Sequence, residues 1–199
     1  VRDLSFDGIK SPQLPADFLF HGRALKLFRS ADGRVYYRGP DLHDYGRKLA
    51  RLKFKLKTSK SKSPVENSYE KKQALLLLNQ VNTVEREVVL TTGSHHYIAF
   101  FVGGPGKELR QFPFVYYLED KAWLQRQDAF IQPPEAAPHI ARWNANCIQC
   151  HSVAGAPRQT EHLNQAGQLE SHYNTEVAEL GIACEACHGP GSQHSSTYE

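Results

Sequence analysis

The chain has 199 residues, of which 40% are apolar and 23% charged, and its net charge is +3 at pH 7. A chain of this size buries enough apolar surface for one compact domain or two small ones. Its longest apolar runs, at residues 74–78 and 97–102, are far shorter than the roughly 18 residues of a membrane span. The composition therefore excludes a membrane-spanning helix.

Residues 1–131 are predicted to form a β-rich domain. Residues 24–28 and 34–38 have strand character and flank a turn at residues 31–33, which is typical of a β-hairpin. Residues 52–57 alternate apolar and basic side chains, which predicts a half-buried strand. Residues 68–79 are rich in helix formers and predict a short helix. Further strands are predicted at residues 88–90, 97–102 and 112–118.

One stretch of this domain is strongly basic. Residues 46–62 carry eight positive charges and no negative one, and because the whole chain is +3, the remainder is −5. The basic residues are Arg47, Lys48, Arg51, Lys53, Lys55, Lys57, Lys60 and Lys62. The stretch either attracts an acidic partner or an anionic lipid or glycan surface, or it is a solvated edge strand whose lysines prevent aggregation.

Residues 132–138 are rich in proline and predict a linker. Beyond the linker, helices are predicted only around the two motifs described next and at residues 175–180. The predicted fold class is therefore α+β, with a β-rich domain over residues 1–131 and a loop-rich, partly helical region over residues 132–199.

Two copies of one five-residue pattern contain every cysteine of the chain. They are Cys147-Ile-Gln-Cys150-His151 and Cys184-Glu-Ala-Cys187-His188. C-x-x-C-H is the attachment signature of c-type haem. Two thiols three positions apart on one helical turn bond to the two vinyl groups of one porphyrin, and the following imidazole lies against the iron. The sequence therefore predicts two covalent haems c, with His151 and His188 as proximal ligands.

Other cysteine sites share part of this pattern. Two C-x-x-C pairs separated by 33 residues are also typical of a tetrahedral zinc site. Two short disulfides, or a thioredoxin-like redox pair, are further alternatives. None of these sites requires a histidine directly after both second cysteines, so the histidines favour haem.

The absence of methionine from the chain excludes His/Met ligation of the haem iron. The sixth position on each iron then takes a second histidine, a rarer donor or a group from another chain, or it stays open. Eight further histidines are present: His21, His43, His95, His96, His139, His162, His172 and His194. This excess favours bis-histidine ligation, which suits electron transfer and leaves no position for a substrate.

Five of these histidines are candidates for the distal positions, and the alternative for His95 and His96 is an ordinary surface pair. His95 and His96 lie at a turn or strand start, where adjacent side chains face opposite ways, so at most one ligates a given haem. His194 follows the second motif by six positions. That segment is too short to pass round its own porphyrin, so His194 is expected to ligate a neighbouring haem. His172 and His162 lie between the motifs and reach either haem.

A family resemblance is carried by residues 93–96, 109–115, 143–147 and 181–192, with His194. These stretches resemble the multihaem cytochrome c family typified by the tetrahaem cytochrome of ammonia oxidisers, including its longer bacterial homologues fused to tetratricopeptide repeats. The resemblance covers residues 91–194 and implies that His95 or His96, together with His194, are distal ligands. Relatives carry further haem motifs on both sides of this region. The resemblance therefore implies a truncated segment, or a dihaem member that passes electrons to haems on other subunits.

These observations predict an electron carrier rather than an enzyme. Because haem c is attached outside the cytoplasmic membrane, the protein is expected in the periplasm or outside the cell, with other redox proteins or haem subunits as partners and no nucleic acid. Residues 1–4 form no signal peptide, so a leader has been removed or the chain is a piece of a longer protein. The alternatives are an oxidoreductase acting on a nitrogen or sulfur compound at an open haem, and an assembly module of a cytochrome complex or filament.

Overall fold

The computed structural model describes residues 12–57, 64–93, 95–126, 139–164, 167, 169–181, 183, 184, 188 and 196. The chain divides into two compact units: the first comprises Val1–Gly103 with Arg110–Ile140, and the second comprises Gly104–Leu109 with Ala141–Glu199. The linker predicted at residues 132–138 lies outside the described residues. The predicted division into residues 1–131 and 132–199 therefore stays a prediction.

The first unit contains a seven-stranded sheet in which the strands follow one another in chain order. The strands are β1 (Ala16–Phe20), β2 (Arg23–Arg29), β3 (Val35–Pro40), β4 (Thr83–Thr92), β5 (Tyr97–Gly103), β6 (Leu109–Tyr117) and β7 (Ala122–Gln125). β2 and β3 confirm the predicted hairpin, since they pair antiparallel with Leu27 opposite Tyr37. The other predicted strands coincide with parts of β4, β5 and β6.

Two helices, α1 (Leu42–Lys57) and α2 (Pro64–Asn79), connect β3 to β4. α2 confirms the helix predicted at residues 68–79. The half-buried strand predicted at residues 52–57 is wrong, because these residues form the last turns of α1. Leu42, Tyr45 and Leu49 are buried at helical spacing. This pattern extends over more residues than the alternation at 52–57 and determines the secondary structure.

A side-chain cap fixes the start of α1. Oδ1 of Asp41 accepts hydrogen bonds from the amide N–H groups of His43, at 3.0 Å, and Asp44, at 3.1 Å. Its Oδ2 lies 3.2 Å from the guanidinium of Arg86 on β4. Burial by itself raises the pKa of Asp41, but the Asp44 amide and the Arg86 cation outweigh burial and leave the pKa below its ordinary value. The cap therefore links the first turn of α1 to the sheet.

The core of the first unit joins the sheet to the helices. Its buried members include Phe20, Leu27, Tyr37, Phe100 and Phe112 from strands and Leu42, Tyr45, Leu49, Ala74 and Leu78 from helices. None of the helices in the described part of the chain is long and apolar enough to cross a membrane.

The second unit is also β-rich. Its strands are β8 (Ser152–Val153), β9 (Gln159–Leu163), β10 (Leu169–Tyr173) and β11 (Glu179–Leu180), and one π-helical turn covers Trp143–Cys147. The predicted α+β class with a loop-rich, partly helical haem region is therefore wrong, because the chain between the motifs pairs as strands. The helix predicted at residues 175–180 is also wrong, since Glu176 forms an antiparallel bridge with Ala156 before β11 begins.

Candidate haem-attachment site

The first motif forms a tight turn at the end of the π-helix. The amide N–H groups of Cys150 and His151 both donate to the carbonyl oxygen of Cys147, at 3.1 and 2.9 Å. Ile148 is fully buried and anchors the turn, whereas Cys150 and His151 are exposed and Cys147 is half-buried. The turn therefore presents the thiol of Cys150 and the imidazole of His151 to solvent.

The second motif repeats the main-chain bond of the first. The amide N–H of His188 donates to the carbonyl oxygen of Cys184 at 3.0 Å, as that of His151 does to Cys147. Cys184 and His188 are both exposed. Cys187 lies outside the described residues. In both motifs the bond joins residues i and i+4, which is the spacing of an α-helical hydrogen bond.

The chain between the motifs is one long antiparallel hairpin. β8 pairs with β11, Ala156 bridges Glu176, and β9 pairs with β10. The register does not slip along this length, because each step along one strand is matched by one step along the other, from Ser152 opposite Leu180 to Leu163 opposite Leu169. At the base of the hairpin, the end of the first motif therefore lies beside Leu180 and Gly181, the residues just before the second motif.

The two motifs are joined directly at that base. The amide N–H of Gly181 donates to the carbonyl oxygen of His151 at 3.1 Å, and that of Ala178 donates to Val153 at 3.0 Å. Cys184 follows Gly181 by three residues, a length of at most about 10 Å. Groups attached to the two motifs are therefore held within one small region of the second unit.

Asn144 fixes the first motif to two other segments of the second unit. Its Oδ1 accepts a hydrogen bond from the amide N–H of Leu109 at 2.7 Å. Its Nδ2 donates to the carbonyl oxygen of Lys107 at 3.3 Å and to the hydroxyl of Thr175 at 2.9 Å. Asn144 is 2% exposed, so the loss of these bonds would leave polar groups buried. The only sequence signal was an asparagine shortly before Cys147, which is too common to identify the role.

Arg142 anchors the hairpin at the same point. Its guanidinium lies 3.6 Å from the carboxylate of Glu108, whose side chain is 7% exposed. The guanidinium also lies 5.5 Å from the ring centroid of Tyr173 on β10, and Tyr173 is fully buried. One cation thus both neutralises a buried acid and packs on the hairpin.

Gly155 permits a close approach behind the first motif. A Cβ atom at this position would lie 2.5 Å from Oγ of Ser152 and 2.7 Å from a side-chain carbon of Ile148. The Ser152 hydroxyl donates to the carbonyl oxygen of Ile148 at 2.5 Å. A glycine is therefore required where the hairpin folds back on the motif.

The predicted distal histidines are separated by the division into units. His172 lies half-buried on β10, and His162 is exposed on β9, 3.9 Å from the carboxylate of Glu170. His95 and His96 are exposed before β5 in the first unit, and His194 lies outside the described residues. Eight residues separate His172 from Leu180 at the base of the hairpin, about 26 Å of extended strand, whereas Thr175, three residues from His172, accepts a hydrogen bond from Asn144 just before the first motif.

The motifs present thiols and imidazoles for a cofactor. Among the described residues, which do not include Cys187, no three His, Cys, Asp or Glu side chains form a metal-binding group. Cys150 and Cys184 are free thiols, so neither forms a disulfide. Thiols on short turns, each followed by an exposed imidazole, are the donor set that haem c uses.

Two curated proteins are similar to a short part of the chain. Both are described as "C-type polyheme cytochrome OmcB", from Geobacter sulfurreducens strains DL-1 / KN400 and ATCC 51573 / DSM 12127 / PCA, and each is 41% identical over 49 residues. The match covers 25% of this chain and 6% of OmcB, so it spans only a small part of these relatives. No protein-family model and no solved structure matches the chain. The similarity supports a multihaem c-type cytochrome in general, and the more specific resemblance to the tetrahaem cytochrome of ammonia oxidisers stays a prediction.

Proposed function

We propose that the protein transfers electrons through two covalently bound haems c, one on each C-x-x-C-H motif. The observation that carries this proposal is the hairpin that places His151 beside Gly181, three residues from the second motif. Electron transfer between cofactors needs a short distance and a fixed relation, and a hairpin of unbroken register provides both. The local similarity to a polyhaem cytochrome supports the same function.

Each motif contributes three groups to its haem. Cys147 and Cys150 would form thioether bonds to the first haem, and His151 would be its proximal ligand. The corresponding residues for the second haem are Cys184, Cys187 and His188. When bound, haem c supplies an iron that alternates between ferrous and ferric states. The polypeptide supplies attachment, proximal ligation and the spacing between the two sites.

The distal ligands belong to the same proposal. The absence of methionine favours histidine at the sixth position of each iron. We favour His95 or His96, together with His194, over His172, as the resemblance to the tetrahaem cytochrome family implies. Two six-coordinate irons would leave no position for a substrate, which suits a carrier rather than an enzyme.

The setting of this activity follows from the chemistry of haem attachment. Haem c is attached outside the cytoplasmic membrane, so we place the protein in the periplasm or at the cell exterior. Its partners would be other redox proteins or haem subunits of a larger multihaem assembly.

The stoichiometry of haem tests the proposal. The holoprotein should exceed the 22.5 kDa of the polypeptide by the mass of two haems, and a pyridine haemochrome assay should find two haems c per chain. The double variant Cys147→Ala/Cys150→Ala should retain one haem, and its counterpart Cys184→Ala/Cys187→Ala should retain the other. Stoichiometric zinc with no covalent haem would overturn the proposal.

A further inference from the structure

One side of the second half of α1 is exposed to solvent. Ala50, Arg51, Phe54 and Lys55 are all exposed, and they recur at the spacing that places residues on one face of a helix. Phe54 is 71% exposed, although it is a large apolar side chain. The opposite face of the helix, through Leu42, Tyr45 and Leu49, is buried in the core of the first unit.

This helix holds the positive charge of the chain. α1 contains six Lys or Arg residues and one Asp, a net charge of +5, whereas the whole chain is +3, so the rest is −2. The interpretation of this stretch as an edge strand guarded by lysines is wrong for residues 46–57, because they belong to α1. Lys60 and Lys62 lie outside the described residues. A concentrated positive field on one helix therefore needs another explanation.

The ion pairs within α1 leave this field largely intact. Arg47 and Lys48 share the single carboxylate of Asp44, at 3.7 and 2.9 Å. All three side chains are about one third exposed, and pairs of this kind are weak because water screens them. A carboxylate of a partner can therefore compete for these cations at little energetic cost.

The pattern on this face fits a protein better than a bilayer. An interfacial membrane helix inserts a continuous apolar stripe, but the apolar stripe of α1 is already used by the core. What remains is one aromatic side chain among cations. An exposed aromatic side chain beside an arginine is a combination enriched in protein–protein interfaces, and the neighbouring lysines favour an acidic partner.

We propose that the face of α1 formed by Arg51, Phe54 and Lys55 is a docking surface for a carboxylate-rich protein surface that has one apolar residue at its centre. The cations attract and orient the acidic groups, and Phe54 packs against the apolar residue. That this partner donates or accepts electrons rests on the function proposed above. The docking itself does not depend on haem.

The test measures binding of the holoprotein to two fluorescein-labelled peptides by fluorescence anisotropy. One peptide has five glutamates on each side of a leucine, and the other has glycine in place of the leucine. At about 100 mM ionic strength, where charges act over about 10 Å, both peptides should bind. The double variant Arg51→Glu/Lys55→Glu should bind at least about tenfold more weakly.

Two controls separate the docking surface from net charge and from lipid binding. Lys107→Glu/Lys121→Glu changes the net charge equally at two exposed lysines outside α1, and its affinity should change less than about twofold. The wild-type protein should bind the leucine peptide more tightly than the glycine peptide, and Phe54→Ala should remove this difference in affinity. Vesicles of 30% phosphatidylglycerol in phosphatidylcholine should bind weakly and show no dependence on Phe54.

Equal loss of peptide binding in the two double variants would overturn the proposal, because net charge alone would then explain binding. Phe54-dependent binding to the vesicles would overturn it in favour of a membrane surface. If the protein carries no haem, the proposed electron transfer fails, whereas the comparison of the peptide affinities still decides whether α1 is a docking surface.

Discussion

The amide N–H of Gly181 donates to the carbonyl oxygen of His151 at 3.1 Å. This bond ties the last residue of the first motif to the chain just before the second. The 33 residues between Cys150 and Cys184 therefore do not separate the motifs in space. Strands β8 and β9 pair with β11 and β10 in this interval, and the base of the resulting hairpin holds the motifs together.

Replacing Asn144 with alanine should destabilise the second unit. The substitution removes three hydrogen bonds and leaves the half-buried amide of Leu109 without its acceptor, which should lower the free energy of unfolding by about 2–4 kcal/mol. Urea unfolding measures this loss. Asn146→Ala is a matched control, because its side chain accepts one exposed bond from the Arg142 amide, and its effect should stay below about 1 kcal/mol. Equal effects at both positions would show that Asn144 is not the link between these segments.

Two glycines with similar backbone angles should respond differently to substitution by alanine. Gly106 has φ 62° and Gly167 has φ 69°. A Cβ atom at Gly106 would lie 2.3 Å from the carbonyl oxygen of Ser171, whereas nothing lies within 4 Å of one at Gly167. Gly167→Ala should therefore lower the free energy of unfolding by about 1 kcal/mol, the cost of the left-handed conformation for a residue with a Cβ atom. Gly106→Ala should lower it by about 2–4 kcal/mol. Thermal unfolding measures both, and equal losses would contradict the close packing of Gly106 against β10.

Some of this structure is predictable from the sequence, and the rest depends on distant contacts. The hairpin of β2 and β3 and the turns at the motifs follow from local patterns, since a turn at residues 31–33 and the C-x-x-C-H spacing each act over a few residues. The strand predicted at residues 52–57 is wrong because Leu42, Tyr45 and Leu49, outside that window, determine the face that is buried. The predicted helix at 175–180 is wrong because Glu176 finds its main-chain partner twenty residues earlier, at Ala156. Asn144 could not be identified because Leu109 and Thr175 lie far from it in sequence.

Protonation of Asp41 should contribute to the loss of stability of the first unit in acid. The pKa of Asp41 in the folded protein is below its ordinary value of 3.8, so folding favours its carboxylate. This contribution is complete well above pH 3.8 and is lost as the pH falls through the lower folded value. Asp41→Asn keeps an oxygen for the cap but does not titrate, so its stability deficit at neutral pH should shrink towards pH 3. Urea unfolding across this range measures the difference, and a deficit independent of pH would contradict the assignment.

Substitution of single histidines should separate the candidate distal ligands. His172→Ala should leave both haems low-spin if the distal ligands are His95 or His96 and His194, as the family resemblance implies. His194→Ala, His95→Ala or His96→Ala should convert one haem to high spin while both covalent attachments remain. Absorption spectra of the ferric proteins, with carbon monoxide binding to the ferrous forms, measure this. High-spin character in His172→Ala would show that the porphyrin extends along the hairpin.

The electron paramagnetic resonance spectrum of the fully oxidised protein tests whether two haems lie side by side at the base of the hairpin. The spectra of Cys147→Ala/Cys150→Ala and Cys184→Ala/Cys187→Ala each report one haem alone. If the hairpin holds both irons close together, the wild-type spectrum should show broadening or splitting from magnetic interaction and should differ from the sum of the two variant spectra. A wild-type spectrum equal to that sum would contradict the account.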